Sequence, residues 1–328
     1  MSSDRDLTCR PQPETWHASI SADFSNEIDI KMRALLLLPL FLSLVPLSAK
    51  AAETPCADLV NGSDIIQHAD GFAVSELHDG CAVTNGLFKS GGRFGWTFEH
   101  AELKGDNLVT FLKSMTTKPE NMPNWGRFSV EGIRFTPLMD NALANYITTV
   151  QQWPMDISGS FRFDPKDGYL DIQEVQLTNL RLGRASLSAE LTLPKDTNVK
   201  ALAEGGSAGL THLRFRLDNQ GLFEGMAVPS LASLLQQTTG SDDPAQGIAQ
   251  LRSNAATALQ ILPDSQIDAE SKKALLRFLE DLPHPTGFFT LDLAFNKPLQ
   301  IGSLGLDPAQ LAQTALAGAK ISVSYKPR

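Results

Sequence analysis

Hydrophobic and polar positions alternate along much of this chain. Phe94, Trp96 and Phe98 are separated by Gly95 and Thr97, the period of two that gives a strand one apolar face. Phe128 and Val130, then Ile133 and Phe135, predict a second strand in which Glu131-Gly132 interrupts the phase as a bulge does. Ile157 to Phe163 runs into Asp164-Pro165-Lys166-Asp167-Gly168, a turn with Pro and Gly where their backbone preferences suit it. Tyr169 to Leu193 then carries Leu170, Ile172, Val175, Leu177, Leu180, Leu182, Leu187, Leu191 and Leu193, mostly spaced by two, as in long antiparallel strands with one wet face. Breaks near Glu174 and Gly183 predict turns or bulges. After a polar, Gly-rich loop over 194–209, Leu210 to Leu217 is one more strand.

Helical spacing dominates elsewhere. Thr136-Pro137 offers an N-cap and a first helical residue, and Met139, Leu143, Tyr146, Ile147 and Val150 follow on one face until Trp153-Pro154. Beyond residue 220, Asp243-Pro244 and Asp307-Pro308 repeat the cap signal. Ile248, Leu251, Ala255, Leu259 and Leu262 form one stripe; Leu275, Leu276, Leu279 and Leu282, capped by Asp268, form another. Thr286 to Phe295 and Lys320 to Tyr325 predict strands around the last helix. The expected fold is α+β: an antiparallel, β-rich region over 52–220, and a C-terminal region over 221–328 that holds most of the amphipathic helices and packs on the sheet.

The N-terminus changes this picture by removing residues from it. At Lys31-Met32-Arg33 a polar stretch gives way to the run Ala34 to Val45, then Pro46-Leu47-Ser48 and Ala49-Lys50-Ala51. A basic start, an apolar stretch and an A-x-A site are the three parts of a secretory signal peptide. The expectation is a signal peptide over 32–51 cleaved between Ala51 and Ala52, with residues 1–31 an upstream extension ahead of a start at Met32. A spanning helix needs about 20 apolar residues; this run is shorter, with Pro39 inside it and Pro46 just after it, and no transmembrane span is expected in the mature chain. The mature protein is expected in the periplasm or outside the cell. Cys56 and Cys81 are then the cysteines left in an oxidising compartment, which predicts a disulfide between them. A redox C-x-x-C spacing is absent. Residues 52–328 hold 23 Lys/Arg and 31 Asp/Glu, and this net charge of −8, without basic clusters, argues against nucleic acid and against electrostatic docking on anionic lipid.

Candidate chemistry is sparse. Gly205-Gly206-Ser207-Ala208-Gly209 matches the nucleophile elbow G-x-S-x-G, but a loop precedes it and a strand follows it, where the elbow needs a strand and then a helix. His68, His78, His100, His212 and His284 form neither H-x-x-x-H nor H-E-x-x-H. Asp164, Asp167 and Asp171 around Gly168 lack the alternate ligand spacing of a calcium loop and read as a hairpin turn. Ser90-Gly91-Gly92-Arg93 leads into a strand, unlike a phosphate loop. No catalytic, metal or cofactor site is expected from these patterns.

The segment from Asp156 to Leu193 resembles the repeating β units of AsmA/TamB-like envelope proteins. The likeness is carried by Gly168-Tyr-Leu-Asp-Ile172 and by Leu177-Thr-Asn-Leu-Arg-Leu-Gly-Arg-Ala-Ser-Leu-Ser-Ala-Glu-Leu191. It implies a curved sheet with an apolar interior, associated with lipid handling between membranes, and transfers no functional residue. The leading expectation is thus an exported, non-enzymatic envelope protein with a lipid or other hydrophobic ligand in an apolar groove, lined by Phe161, Phe163, Leu177 and Leu187. The alternatives are a partner-binding or assembly factor of the envelope, and a serine hydrolase using Ser207.

Overall fold

The computed structural model describes residues 55–61, 66–89, 94–108, 110–111, 123–137, 141–143, 146–147, 152–194, 208–228, 231, 243–300 and 318–328. A short helix, α1 (Pro55–Asn61), precedes eight strands: β1 (Ile66–Leu77), β2 (Gly80–Lys89), β3 (Phe94–Gly105), β4 (Trp125–Pro137), β5 (Met155–Asp164), β6 (Tyr169–Asn179), β7 (Gly183–Thr192) and β8 (Gly209–Asn219). Helices α2 (Pro244–Ile261) and α3 (Ala269–Glu280) follow, then strands β9 (Gly287–Gln300) and β10 (Ala319–Lys326). The strands form one 10-stranded sheet in which each pairs with its neighbours in sequence, from β1 to β10. Every pairing is antiparallel.

The expected α+β fold with a helical C-terminal third is therefore corrected to a mostly antiparallel β fold carrying few helices. Both C-terminal helices form where their aspartate caps begin them. Asp243 Oδ1 accepts from Ala245 N at 2.9 Å, and Asp268 Oδ1 from Ser271 N at 2.8 Å. But β9 is 14 residues long and pairs with β8 along most of its length. With β10 it continues the meander, so the C-terminal region adds two strands to the sheet. The leucine stripes of α2 and α3 are strong local signals, whereas the β8–β9 pairing spans the chain between them and leaves no local mark. Thr136 and Pro137 end β4 rather than begin a helix; residues 142–143 and 146–147 are helical as expected, but Leu143, Tyr146 and Ile147 are exposed, and Met139 and Val150 lie outside the described residues.

Local irregularities follow the sequence more closely. Gly132, at φ +66°, sits in the register shift between Val130 and Ile133, where its N–H donates to Asp156 Oδ1 at 2.9 Å. In the turn after β5, Asp164 Oδ1 accepts from Lys166 N at 2.9 Å and Gly168 takes φ +62°, the hairpin geometry expected there. The outer edge of β10 is covered: Ile321 N donates to Gln266 O at 2.7 Å and Val323 N to Ser271 Oγ at 3.0 Å. These bonds occupy donors that would otherwise template another strand.

Three apolar clusters lie along the sheet. One gathers Val60 of α1 with Val83 and Phe98; a second holds Phe163, Leu170, Leu191 and Leu193; the third packs α2 and α3 on β8 to β10 through Leu259, Phe278, Phe289 and Tyr325. Cys56 and Cys81 are disulfide-bonded, tying α1 to β2. Among the described residues no helix is long and apolar enough to cross a membrane. The expected signal peptide with its Ala51–Ala52 junction, the extension 1–31, Ser207 and the Asp307-Pro308 cap all lie outside the described residues.

Candidate functional site

Strand register turns the alternation seen in sequence into continuous rows across the sheet, because directly paired residues point to the same face. One row runs Val74, Val83, Ala101, Val130, Ile157, Leu177, Ala185, Leu217, Phe289, Tyr325. Beside it, Leu103, Phe128, Gly159, Val175, Leu187, Phe215, Leu291 and Val323 are paired from β3 to β10. A third row carries Phe161, Ile172, Ala189, Leu213, Leu293 and Ile321. The sheet thus has one apolar face from edge to edge.

Two aromatic rings lie flat on this face. A Cβ at Gly159 would sit 2.4 Å from the Phe128 ring, and one at Gly126 would sit 2.3 Å from the Phe161 ring. Each ring covers a neighbouring strand's bare backbone, an arrangement that only glycine permits at that distance. Phe98 lies on Gly86 in the same way. The middle of the face is smooth and apolar as a result.

All four groove candidates point to this face. Phe163 is only 7% exposed and belongs to a filled cluster; Phe161 and Leu177 pack at cluster margins. Leu187 is half-buried, as are Leu103, Phe128, Ile157 and Val175, and none of these five belongs to the three clusters. They form a strip between the packed ends of the sheet. Sequence reasoning missed Leu103, Phe128, Ile157 and Val175 because membership in the strip depends on register between distant strands.

The opposite face is polar. Arg162, Asp171, Glu190 and His212 are paired across β5 to β8, and Ser188, Arg214 and Asp292 across β7 to β9. Asp292 accepts from Arg214 Nε at 2.6 Å and lies 2.9 Å from His212 Nε2. Burial pushes its carboxyl up, but the bonds from His212 and Arg214 outweigh burial and hold it below the usual Asp range. A cleft of about 210 Å³ on this face is lined by Gln173, Glu174, Ser186, Ser188, Arg214 and Arg216, a polar lining that offers no place to an acyl chain.

Next to it, burial and then the hydrogen bond to Glu190 push Tyr169 up to about 12. Burial, then the charge of Glu190, also raises Asp171, with Arg162 acting against them. A carboxylate whose folded-state pKa is raised opposes folding once ionised. That cost is absent well below the ordinary Asp range and complete above the raised value. Asp171→Asn is accordingly expected to raise the melting temperature at neutral pH, with the gain disappearing in acid; an unchanged or lower neutral-pH melting temperature would contradict this.

The hydrolase candidates are not brought together by what is described. His212 has its Nε2 on Asp292 and its Nδ1 3.6 Å from Glu190, so both ring nitrogens face carboxylates. His284 Nδ1 lies 3.7 Å from Glu224. Among the described residues no group of three His, Cys, Asp or Glu side chains is placed to hold a metal ion. Comparison with known proteins finds no match, either to a family model or to an individual characterised sequence.

Proposed function

We propose that this chain is an exported, non-enzymatic envelope protein that holds a lipid acyl chain, or a ligand of similar apolarity, against the apolar face of its sheet. The observation that carries the reading is the half-buried strip of Leu103, Phe128, Ile157, Val175 and Leu187, flattened by the Phe128 ring over Gly159. An acyl chain laid along such a strip gains apolar burial at about 25 cal/mol per Å². The Cys56–Cys81 disulfide supports an oxidising compartment, for which the periplasm is the proposal. The likeness of residues 156–193 to the β units of AsmA/TamB-like proteins supports lipid handling in the envelope.

The test is titration with a fluorescent fatty-acyl probe. Val175→Asp combined with Leu187→Asp puts two charges in the strip at half-buried positions, and affinity is expected to fall by at least about tenfold. Arg216→Ala, on the polar face, is expected to bind as the wild type does. Equal binding by the strip variant, with a preserved circular dichroism spectrum, would remove the reading.

A further inference from the structure

One end of the sheet exposes apolar side chains that its fold holds in place. β5 begins there, β6 ends and β7 begins, β8 ends and β9 begins, so the chain around Trp153, the turn 180–182 and Phe288 share that end. Leu180 is 94% exposed at the tip of its turn, Trp153 is 46% exposed and Phe288 52%. The turn is not loose. Asn179, buried, accepts from Arg181 N and Leu182 N through Oδ1, each at 2.9 Å, and donates through Nδ2 to Pro154 O at 3.0 Å. One buried side chain thereby fixes the Leu180 turn and the segment bearing Trp153 to each other.

Trp153 and Phe288 each carry an arginine. The Arg181 guanidinium lies 3.6 Å from the centroid of a Trp153 ring, and that of Arg328 lies 5.2 Å from the Phe288 centroid. Arg184 is exposed on the same end. Among the described carboxylates of this end, Asp218 pairs with Arg328 at 2.7 Å, Asp281 accepts from Tyr325, Asp156 from Gly132 N, and Glu224 from Asn219. Leu143, Tyr146 and Ile147, exposed as well, lie on the chain just ahead of Trp153.

We infer that this end of the sheet docks on a phospholipid bilayer, with Leu180 and Trp153 entering the headgroup–acyl boundary and Arg181, Arg184 and Arg328 at the level of the phosphates. An exposed leucine, an amphipathic tryptophan and arginines beside the rings are what that interface selects. Residues 52–328 hold 23 Lys/Arg and 31 Asp/Glu, a net charge of −8, which argues against long-range attraction to an anionic surface as the driving force. Docking is therefore by insertion, and a bilayer of zwitterionic headgroups suffices. This inference deepens the lipid-binding reading and rests on it, since it names the surface from which the apolar strip would be filled.

The experiment is flotation of the purified mature protein with phosphatidylcholine–phosphatidylethanolamine vesicles at low and high salt. The wild type is expected to float at both. Leu180→Glu, a change at an exposed position, is expected to lower the vesicle-bound fraction by about tenfold, and Trp153→Ala by a similar factor. Brominated lipid should quench wild-type tryptophan fluorescence more than that of Trp153→Phe. A wild type that stays at the bottom of the gradient, that floats only on anionic vesicles at low salt, or that Leu180→Glu matches would overturn the inference. Flotation by a protein that carries no acyl ligand keeps docking and removes the carrier reading; an acyl-loaded protein that does not float does the reverse.

Discussion

Asn219→Ala is expected to lower stability by roughly 3–5 kcal/mol. Asn219 ends β8 and is 2% exposed. Its Oδ1 accepts from Phe223 N at 2.8 Å and Gly221 N at 3.3 Å, while its Nδ2 donates to Glu224 Oε2 at 2.9 Å and to Pro285 O. One side chain therefore joins the end of β8, the helical residues 222–228 and the approach to β9. Alanine removes all four bonds at once and leaves amide and carbonyl groups in a place that water reaches poorly. Each unsatisfied buried group costs about 1–3 kcal/mol. Chemical denaturation of the variant measures the effect, and a loss under about 1 kcal/mol would show that the end of the sheet is held by packing alone. Asn179 plays a related part at the end of β6, and Asn179, Gly183, Asn219 and Gly287 lie in one cross-strand row.

The second large effect is expected from Cys56→Ala with Cys81→Ala. The bond closes a loop of sequence separation 25, which in the chain-entropy model stabilises the folded state by roughly 3 kcal/mol. Both residues are buried, at 1% and 6% exposure, and α1 places Val60 in the cluster with Val83 and Phe98. Loss of the bond frees α1 to leave that cluster. For a chain of this size the melting temperature should fall by about 6–12 °C. A double variant that melts with the wild type would mean that α1 is held by its apolar contacts and the cross-link adds nothing.

Much of the sheet was legible in the residues, and the reason is local. From Ile157 to Leu217 the apolar positions alternate, the turns carry Asp-Pro and Gly, and the break near Glu174 marks the register shift observed between Ile172 and Val175. The caps Asp243 and Asp268 act on neighbours two and three residues away, so their roles show in the sequence too, and Gly132 shows through the alternation it interrupts, although its N–H bonds Asp156 on the next strand. The expectation that failed was the fold class. α2 and α3 have strong stripes, yet a helix beside a sheet and a helix inserted into a meander look alike locally, and β9 pairs back over both of them.

The candidate site was legible only as a set of apolar positions. Phe161, Phe163, Leu177 and Leu187 share a face because alternation puts them there. That Phe163 sits in a filled cluster while Leu187 does not depends on what packs above each strand. The rings of Phe128 and Phe161 lie over Gly159 and Gly126 of adjacent strands, a contact between chain segments that no spacing announces. The exposed end of the sheet was hidden for the opposite reason: Leu180 reads as one more apolar residue of the run, one position out of phase with Val175 and Leu177, and only the turn held by Asn179 turns it out to solvent.

The central claim, an apolar ligand on the apolar sheet face, is tested most directly by native mass spectrometry of the protein purified from the envelope fraction without detergent. The account predicts additional mass that dissociates as lipid, and that is lost in the variant carrying Val175→Asp and Leu187→Asp. A clean, unliganded mass for the wild type would contradict it.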